Sequence, residues 1–499
     1  MKHCNNHKQH NRTGKMLLMV LSLLTFLCSG TAQAQGIKIH QLGLGDGDCT
    51  LIEIIDYTPA STPTNPVFDT AVILIDAQRP KTYAAWEITE FIEARLGPKG
   101  LNRKIIDYVI LSHVHIDHYG NMVKVLGDLL DEDYEISYVF DRLAFNVSAI
   151  DWDLNDVEDC YSDVAEPGKV SASASKYHKF IQDNFAGYNF PIRSGSELLE
   201  KRFANARMLC VAAYGATLDP LTGKDAFFIP HNGKIYKPKS ENDLSFAFLL
   251  SYKGFRYFTG GDLGGQDHSG YANGEVPVAR YLKAKGGTNF HFCAFKVSHH
   301  GSEESSAPAF LTLVNPSLAV IPASLRTYGS STNPLPRCNT LDNLAARVSK
   351  MVFTFQPNGD QKKPSNYCKY NNLSNTQDVS LAVNFADVGD TITMRLSFQP
   401  RNKNFDPVGT PTLEDFKCTK PHSKGPFSAA VQVQGMMQVM DSTAVNNTDS
   451  LQGQANMLPA PQVALPPLWQ EPEVREPSLP KKKTSAKNRK KKKKKQHNH

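Results

Sequence analysis

The stretch Leu111–Asn121, LSHVHIDHYGN, places three histidines and one aspartate within six consecutive positions. The run that precedes it, IIDYVILS, is apolar and rich in β-branched residues, which predicts a buried strand over Ile105–Ser112. The residues from Gly120 to Leu130 have the pattern of the start of a helix. The histidine-rich stretch therefore lies at the carboxyl end of a predicted core strand.

The spacing of these polar residues indicates a metal site. Residues two apart in an extended chain share a face, so His113 and His115 can both turn toward one cation. Asp117 and His118 follow the strand and can turn toward a second ion beside the first. Imidazole and carboxylate ligands suit Zn, Mn or Fe, and a cluster without cysteine disfavours a closed structural zinc site. Open coordination predicts a catalytic site. The alternative, a chance grouping, does not explain three histidines and an aspartate within six positions.

The amino terminus predicts export. Four basic residues precede an apolar run from Met16 to Cys28, which is followed by Ala32-Gln33-Ala34. This order is typical of a secretory signal peptide over residues 1–34, with a mature chain that begins at Gln35. The run is shorter than the ~20 residues that a membrane-spanning helix needs. We expect an exported protein, located in the periplasm, at the cell surface or in the medium, without a transmembrane span in the mature chain.

The formal charge of +6 averages over unlike segments. The stretch Lys481–Lys495 contains ten lysines and one arginine, and the predicted signal peptide carries four more positive charges. Removing both leaves −9 for residues 35–480, so the body of the chain is acidic. Attraction to a nucleic acid or another polyanion is therefore expected only from the tail, which could equally be a solvated segment without a dedicated partner.

The remaining hydrophobic pattern predicts two groups of strands with helices between them. The first group is IKIHQLGL, CTLIEII and TAVILIDA, an antiparallel meander, followed by a helix over Lys81–Leu96. The second group is RMLCVAAYG, LSFAFLLSYKG, FRYFTGG, HFCAFKVSH and LAVIPAS, with helices at Pro277–Ala284 and Ala307–Val314, and then SLAVNFA and TITMRLSF. We expect the region from Asp131 to Lys201 to form loops and helices. The order predicts two sheets packed face to face with helices outside, an αββα sandwich of the α/β class.

These patterns divide the chain into three parts. Residues 1–34 are the predicted signal peptide, and residues 35–427 are predicted to form one hydrolase domain with a C-terminal extension. Residues 428–499 are poor in periodic hydrophobic positions and rich in Gln, Pro and Ala, which predicts a disordered tail that ends in the lysine run.

Several motifs resemble those of a known superfamily. GLGDGDCTLIE at 43–53, ILIDAQ at 73–78, FTGGDLGG at 258–265 and FKVSHHGSEESS at 295–306 each place polar residues at an end of an apolar strand. Together with LSHVHIDHYGN, they resemble the metallo-β-lactamase superfamily. The resemblance is strongest to the hydrolase domain of ComEC-type competence proteins and their stand-alone secreted relatives, and it covers roughly residues 36–333.

The resemblance implies a centre with two divalent metal ions, Zn first and Mn or Fe as alternatives. It implies His113 and His115 as ligands of the first ion and Asp117 and His118 as ligands of the second. Asp262 corresponds to the carboxylate that bridges both ions, although a turn role beside glycines is the alternative.

The final histidine ligand of the second ion is ambiguous between two neighbours. We prefer His299 as the ligand, which leaves His300 to contact substrate or donate a proton. Asp117 and His300 are therefore the predicted catalytic residues. Ser302 could bind an anionic substrate oxygen or serve only in a turn.

Three further residues are expected around the centre. Asp48 and Asp76 either orient the ligand imidazoles or hold their turns. Many relatives have another ligand histidine before the bridging aspartate, and this chain lacks a clear equivalent. Asn242 or a water could replace it, and His231 is the histidine nearby in sequence.

These residues predict a metal-dependent hydrolase in which a hydroxide shared by two ions attacks the substrate. A phosphodiester or phosphoester is the first choice of substrate, by analogy with ComEC-type domains. One alternative is a lactonase or another carboxyl ester or amide hydrolase on the same site. Another is an exported protein that binds polyanions without catalysis.

The cysteines give weaker information. Seven of the nine lie outside the predicted signal peptide. Cys49 and Cys293 lie in apolar runs and are expected to be buried free thiols. The trio Cys338, Cys368 and Cys418 is the expected source of one disulfide, although spacing does not give the pairing.

Overall fold

A computed structural model describes most of the chain between Gln35 and Cys418. The described residues are 35–43, 47–62, 64–80, 84–142, 172–199, 201–230, 238–267, 270–323, 335–354, 377–384, 392–400 and 409–418. The predicted signal peptide, the predicted tail, His231, Cys160 and Cys368 lie outside these residues.

The first nine strands and the first helices begin the two-sheet architecture. The strands are β1 (Gly36–Gln41), β2 (Thr50–Tyr57), β3 (Phe68–Ile75), β4 (Ile105–Ile110), β5 (Glu135–Phe140), β6 (Asn189–Phe190), β7 (Ala206–Ala213), β8 (Ala216–Leu218) and β9 (Asp225–Phe227). The helices are α1 (Ala84–Leu96), α2 (Ile116–Tyr119), α3 (Met122–Asp131) and α4 (Ala172–Phe185).

The second half completes both sheets. The strands are β10 (Ala247–Tyr252), β11 (Phe255–Thr259), β12 (Ala294–Lys296), β13 (Leu318–Ile321), β14 (Lys350–Phe353), β15 (Gln377–Asn384), β16 (Thr393–Pro400) and β17 (Thr412–Lys417). The helices are α5 (Glu275–Gly286), α6 (Pro308–Val314) and α7 (Cys338–Ala345), and short 3-10 turns span Glu241–Leu244 and Ser298–Gly301.

The strands form two mixed sheets. The first sheet has the order β17-β16-β15-β1-β2-β3-β4-β5-β6, and the second has the order β14-β13-β12-β11-β10-β7-β8-β9. The predicted meander is confirmed, since β1, β2 and β3 pair antiparallel. From β3 the pairing becomes parallel through β4, β5 and β6, and β11 through β14 are also parallel.

Alternation along the strands builds three hydrophobic layers. On β2 and β3, Ile52 and Ile73 join the layer between the sheets, while Leu51 and Leu74 pack on the outer face with α1 and α3. The second sheet alternates in the same way, and its outer face packs against α5, α6 and α7. The predicted αββα sandwich is confirmed because each sheet buries one face on the other and one face under helices.

Two local predictions differ from the structure. The region from Asp131 to Lys201 contains β5, which pairs parallel with β4 and extends the first sheet. This strand has six residues and begins two positions after the charged stretch Asp131–Asp133, so its short apolar alternation was not recognised. The helix expected from Gly120 is α3, which begins at Met122, and the short α2 before it was not predicted.

The cysteines follow the expectation for the core. Cys49 and Cys293 are buried free thiols, as are Cys210 and Cys418. Cys338 is disulfide-bonded. Within the part of the chain that the structure describes, the helices are too short or too polar to cross a membrane.

Candidate metal centre

The polar motifs meet where parallel strands of both sheets end. Asp76 follows β3, and His113 lies three residues after β4. Asp262 follows β11, and the turn Ser298–Gly301 follows β12. Because β3 pairs parallel with β4 and β11 with β12, their carboxyl ends lie at the same edges of the two sheets. Backbone hydrogen bonds across the interface hold these edges together, including one from Phe246 N to the Ser112 carbonyl oxygen at 2.9 Å.

Asp262 is the centre of the arrangement. Its Oδ2 lies 3.3 Å from His118 Nε2 and 3.7 Å from His113 Nε2. The same oxygen lies 3.6 Å from His300 Nε2 and 3.9 Å from His299 Nε2. Four imidazole nitrogens therefore surround one carboxylate oxygen, as a shared cation ligand requires.

The first two histidines of the motif lie side by side. His113 Nε2 is 3.0 Å from His115 Nδ1. His113 is fully buried, whereas His115 is partly exposed and lines the cavity described below. Both rings therefore lie together as predicted, although His113 and Val114 lie in a bend after β4 and not in an extended strand.

Asp76 orients His118. Its Oδ2 accepts a hydrogen bond from His118 Nδ1 at 2.8 Å and another from Ser112 Oγ at 2.7 Å. With Nδ1 engaged by the carboxylate, Nε2 of His118 points toward Asp262. Metal-binding histidines usually have such an outer carboxylate partner, and the structure places Asp76 at that position.

The tight turn after β12 separates the last two histidines. His299 and His300 have φ values of 47° and 51°, in the left-handed region that non-glycine residues rarely adopt. His300 is buried and lies 3.6 Å, measured from Nε2, from Asp117 Oδ2, while its Nδ1 donates to the Pro322 carbonyl oxygen at 2.9 Å. His299 turns the other way, and its Nε2 lies 3.1 Å from Asn242 Nδ2. These distances place His300, rather than the predicted His299, beside the second-ion residue Asp117.

A buried ion pair supports the floor of the site. Asp48 and Lys296 are both nearly inaccessible, and Lys296 Nζ donates to Asp48 Oδ2 and to the Gly261 carbonyl oxygen. Asp48 Oδ1 also lies 3.4 Å from His300 Nδ1. Gly47 lets this loop pass close to the motif, since a Cβ there would lie 1.8 Å from the Asp117 carbonyl oxygen.

Asn242 is held by its short 3-10 turn. The Ser240 hydroxyl accepts from the Asn242 backbone N–H, and the Asp243 carboxylate accepts from the Ser240 N–H. The neighbouring Glu241 carboxylate accepts from the Val114 N–H at 2.8 Å and pairs with Arg142. This turn thereby fastens Asn242 to the loop that carries the histidines.

Seven of the predicted site residues line a cavity of about 400 Å³, while His113, His118, Asp48 and Asp76 lie behind its wall. Ser302 is buried at its wall, and its hydroxyl oxygen has no hydrogen-bond partner among the described residues. The cavity is lined by Arg79, His115, Ile116, Asp117, Asn242, Asp262, Tyr271, His299, His300, Ser302, Glu303, Glu304, Leu335 and Arg337.

The neighbouring charges shift the pKa values of the histidines in the centre. Burial disfavours protonation of His118, but the Asp262 and Asp76 carboxylates outweigh burial and raise the pKa of His118 well above its usual value. The same balance, with Asp262 and Asp48, raises the pKa of His300. Burial and the charge of His118 lower the pKa of His113 well below its usual value.

The carboxylates of the centre remain anionic. Burial favours the neutral acid at Asp262, but the nearby imidazoles, led by His118 and His300, lower the pKa of Asp262 well below its usual value. The pKa of Asp117 is also lowered, because hydrogen bonding to His300 and the charge of His118 exceed the effect of burial. A cation that binds here replaces protons on the imidazoles, so its affinity should rise with pH.

The residues fit divalent ions. Asp262 Oδ1 is buried and has no hydrogen-bond partner within the described ranges, and neither has His118 Nε2. Buried polar atoms normally have partners, so these two atoms are suited to bind a cation. Neutral nitrogen and carboxylate oxygen donors are those preferred by Zn, Mn or Fe.

Some residues of the site were not singled out from the sequence. Lys296 was visible as a lone lysine in the apolar run FKVS, which is the signature of a buried ion pair. Arg79 and Arg337 follow strand or loop segments without such a signal. Ser112 lies inside the quoted motif but has the composition of an ordinary strand end.

Comparison with known proteins agrees with this geometry. Residues 68–128 match the family model described as the Metallo-beta-lactamase superfamily, and this segment includes the four polar residues of the His113–His118 stretch. No curated protein matches the chain.

Twenty-eight chains of solved structures match. One is a mutant of the CmlA beta-hydroxylase that is 9% identical to this chain, with a TM-score of 0.26. The alignment covers 57% of this chain and 45% of that chain, so this protein spans less than half of the hydroxylase's length.

The matched segment supplies β3, β4 and the histidine-rich loop, and the complete architecture places the remaining polar motifs around that loop. Residues 68–128, which contain the His113–His118 stretch, are therefore similar to the metallo-β-lactamase superfamily, and the αββα sandwich around them is consistent with that fold.

Proposed function

We propose that this protein is a metal-dependent hydrolase with two divalent ions that cleaves phosphodiester or phosphoester bonds. One observation carries the proposal: four imidazoles surround the Asp262 carboxylate at the floor of a cavity that two arginines also line. Zn is the first choice of metal, with Mn or Fe as alternatives.

Asp262 would be the ligand that both ions share. His113 and His115 hold the first ion, together with Asn242 or His299, whose side chains contact each other. This pair takes the place of the middle histidine that the sequence lacks.

Asp117, His118 and His300 hold the second ion. This assignment replaces His299 with His300, because His300 lies between Asp117 and Asp262. If His300 is a metal ligand, it does not serve as the proton donor to substrate that the sequence predicted.

Bound divalent ions would supply Lewis-acid activation of water and of the scissile group. The protein contributes orientation and proton transfer. Asp117 is partly exposed to the cavity and is ionised, so it can orient a water molecule or accept its proton. Asp76, Ser112 and the Asp48–Lys296 pair keep the imidazoles fixed while the reaction proceeds.

The cavity favours an anionic substrate. Arg79 and Arg337 lie in its wall with Ser302, and arginine matches phosphate oxygens in geometry and charge. Glu303 and Glu304 also line the cavity, so an anion would bind where the arginines and the bound ions outweigh their negative charge. A simple lactone carries no negative charge and gains less from these two arginines. The preference for phosphoesters, shared with the ComEC-type domains that the motifs resemble, thus has support from the side chains of this chain.

Export is part of the proposal. The signal-like residues 1–34 and the lysine run lie outside the described residues. The disulfide at Cys338 supports an oxidising compartment.

Replacement of Asp262 tests the function. Asp262→Ala should remove bound metal and reduce turnover of bis-p-nitrophenyl phosphate to background, because both ions lose their shared ligand. Elemental analysis and the initial rate are the two measurements. Asp183→Ala, on the exposed surface of α4, is the matched control and should keep both. Full activity in Asp262→Ala would refute the metal centre.

The same metal-loaded protein should be offered lactone and β-lactam substrates. Turnover of these in preference to the phosphodiester would establish the carboxyl ester or amide alternative. Bound metal without turnover of any of the three would favour the polyanion-binding alternative.

A further inference from the structure

Two thiols and an imidazole form a buried cluster that the proposed hydrolysis does not use. His291 and Cys293 lie two residues apart in the segment that leads into β12, and Cys418 follows β17. Their exposed fractions are 1%, 0% and 2%. His291 Nε2 lies 3.4 Å from Cys418 Sγ and 3.9 Å from Cys293 Sγ. One donor atom from each residue lies within 4.8 Å of the other two.

The hydrogen bonding of His291 directs a lone pair into this cluster. Its Nδ1 lies 3.0 Å from the Asn289 carbonyl oxygen, which can only accept, so Nδ1 carries the proton. Nε2 is then the unprotonated nitrogen, and it faces both sulfurs. An imidazole fixed in this tautomer by a backbone carbonyl is the usual arrangement of a histidine that ligates a metal.

The spacing of the donors matches a coordination sphere. With metal–sulfur bonds of about 2.3 Å and metal–nitrogen bonds of about 2.0 Å, a tetrahedral or trigonal centre separates sulfur from nitrogen by about 3.5–3.8 Å. The observed separations of 3.4 and 3.9 Å lie close to this range. Only a small adjustment of the side chains would therefore be needed to bind an ion.

The donor set selects the ion. Thiolate sulfur with imidazole nitrogen favours Cu⁺ or Zn²⁺, whereas Mg²⁺, Ca²⁺ and Mn²⁺ need oxygen ligands. The cluster contains no carboxylate within the described residues. The buried guanidinium of Arg256 interacts with both thiols. The hydrogen bond with Cys293 lowers the pKa of Cys418 to about 5, whereas burial raises the pKa of Cys293 well above its usual value.

We infer that His291, Cys293 and Cys418 bind one thiophilic ion, Cu⁺ or Zn²⁺, at a structural site separate from the hydrolytic centre. The ion joins the end of β17, at the edge of the first sheet, to the segment before β12 in the second sheet. It therefore fastens the C-terminal strands across the sandwich.

Cobalt spectroscopy on the full mature protein tests this site. The reduced, metal-free protein is loaded with Co²⁺, and absorption from sulfur-to-cobalt charge transfer is measured. The hydrolytic centre cannot produce this absorption, because its described ligands are nitrogen and oxygen atoms. A parallel anaerobic titration with Cu⁺ and with Zn²⁺ shows which of the two ions binds more tightly.

Cysteine variants show which sulfur atoms produce the sulfur-to-cobalt absorption. Cys293→Ala and Cys418→Ala should each lose the charge-transfer absorption and one equivalent of bound ion. Cys210→Ala is the matched control, since Cys210 is an equally buried free thiol outside the cluster. Phosphodiesterase activity should be unchanged in soluble variants, which separates this site from the proposed function.

Two results would overturn the inference, and both come from the unmodified protein, so they do not depend on variants that fold. The first is reduced protein that shows no sulfur-to-cobalt absorption and no binding of Cu⁺ or Zn²⁺ beyond the hydrolytic centre. The second is a disulfide between Cys293 and Cys418, found by mass spectrometry of protein purified without reductant.

Discussion

At the scale of single residues, the turn that carries His299 and His300 decides the composition of the metal centre. Both residues have positive φ values, so their side chains diverge instead of following the alternation of a strand. His300 reaches Asp117 and Asp262, while His299 reaches Asn242 and packs edge-on against Tyr271. Strain of this kind is maintained where a site requires it.

This divergence predicts unequal effects of two alanine substitutions. His300→Ala should lose one equivalent of metal and lower kcat by more than about 100-fold, beyond the 10–100-fold typical of residues that only orient a ligand. His299→Ala should keep the second ion and lose less activity. Metal content and kcat, measured for both variants, check the assignment, and the reverse order of effects would restore His299 as the ligand.

The sequence predicted some residues of the centre much better than others. His113, His115, Asp117 and His118 could be selected from their spacing after a readable strand, whereas Asp262 was selected through the resemblance to the metallo-β-lactamase superfamily. The choice between His299 and His300 depends on backbone dihedral angles that composition does not encode. The roles of all these residues as metal ligands stay a prediction, which the Asp262 and His300 variants test.

At the scale of elements, β12 supports the centre through one buried charge. Lys296 at its end pairs with Asp48 from the loop before β2, and both side chains are almost inaccessible. Removal of one partner leaves an uncompensated charge in the interior, which typically costs about 3–5 kcal/mol.

Lys296→Met should therefore lower the free energy of unfolding by about 3–5 kcal/mol and weaken metal binding. Denaturant unfolding and metal titration measure the two effects. The double variant Lys296→Met with Asp48→Asn should recover much of the lost stability, because the unpaired charge is removed. A single variant as stable as the natural protein would show that the pair contributes little.

Helix α5 contains a second buried ionisable group. Glu275 is fully buried, and burial raises the pKa of Glu275 to about 8 despite hydrogen bonds from Ser298 and Ser306. Between pH 4.5 and 8 the unfolded chain loses this proton while the folded protein retains it. Stability should therefore fall as pH rises through this window.

Glu275→Gln removes this penalty, so the variant should be more stable than the natural protein at pH 8 and less distinct from it at pH 5. The difference can reach about 4 kcal/mol. Thermal unfolding at both pH values measures it, with Glu135→Gln, exposed at the start of β5, as the matched control. An advantage that does not grow with pH would contradict the raised pKa.

The elements themselves were largely readable from the sequence. Short, nearly continuous apolar runs predicted β1–β4, β7 and β10–β13, because a strand that is buried on both sheet faces has apolar residues at successive positions. β5 was missed because it is short and follows a charged segment. The contact of Cys418 with His291 joins residues 127 positions apart, which spacing alone could not reveal.

At the scale of the whole molecule, the positive charge is concentrated in the predicted tail, while the body of the chain is acidic. Residues 35–480 carry a net charge of −9, and the eleven positive charges of Lys481–Lys495 lie in the predicted tail. We propose that this tail binds polyanions such as nucleic acid, without sequence preference, because it contains no aromatic residues.

Deletion of residues 481–499 should leave hydrolysis of a small phosphodiester unchanged and weaken retention on DNA or heparin. The effect should be largest at low salt, because counterion release drives such binding. Elution from heparin over a salt gradient is the measurement. Unchanged retention would assign polyanion binding to the body of the protein or exclude it.

The position of β1 has a consequence for how the protein matures. Its residues pair with β2 on one side and with β15 on the other, so Gly36 lies opposite Asn384. The first sheet cannot be completed until synthesis has passed β15, and contacts between such distant residues slow folding. The newly made polypeptide consequently stays incompletely folded during synthesis, a state that would suit the export that we propose.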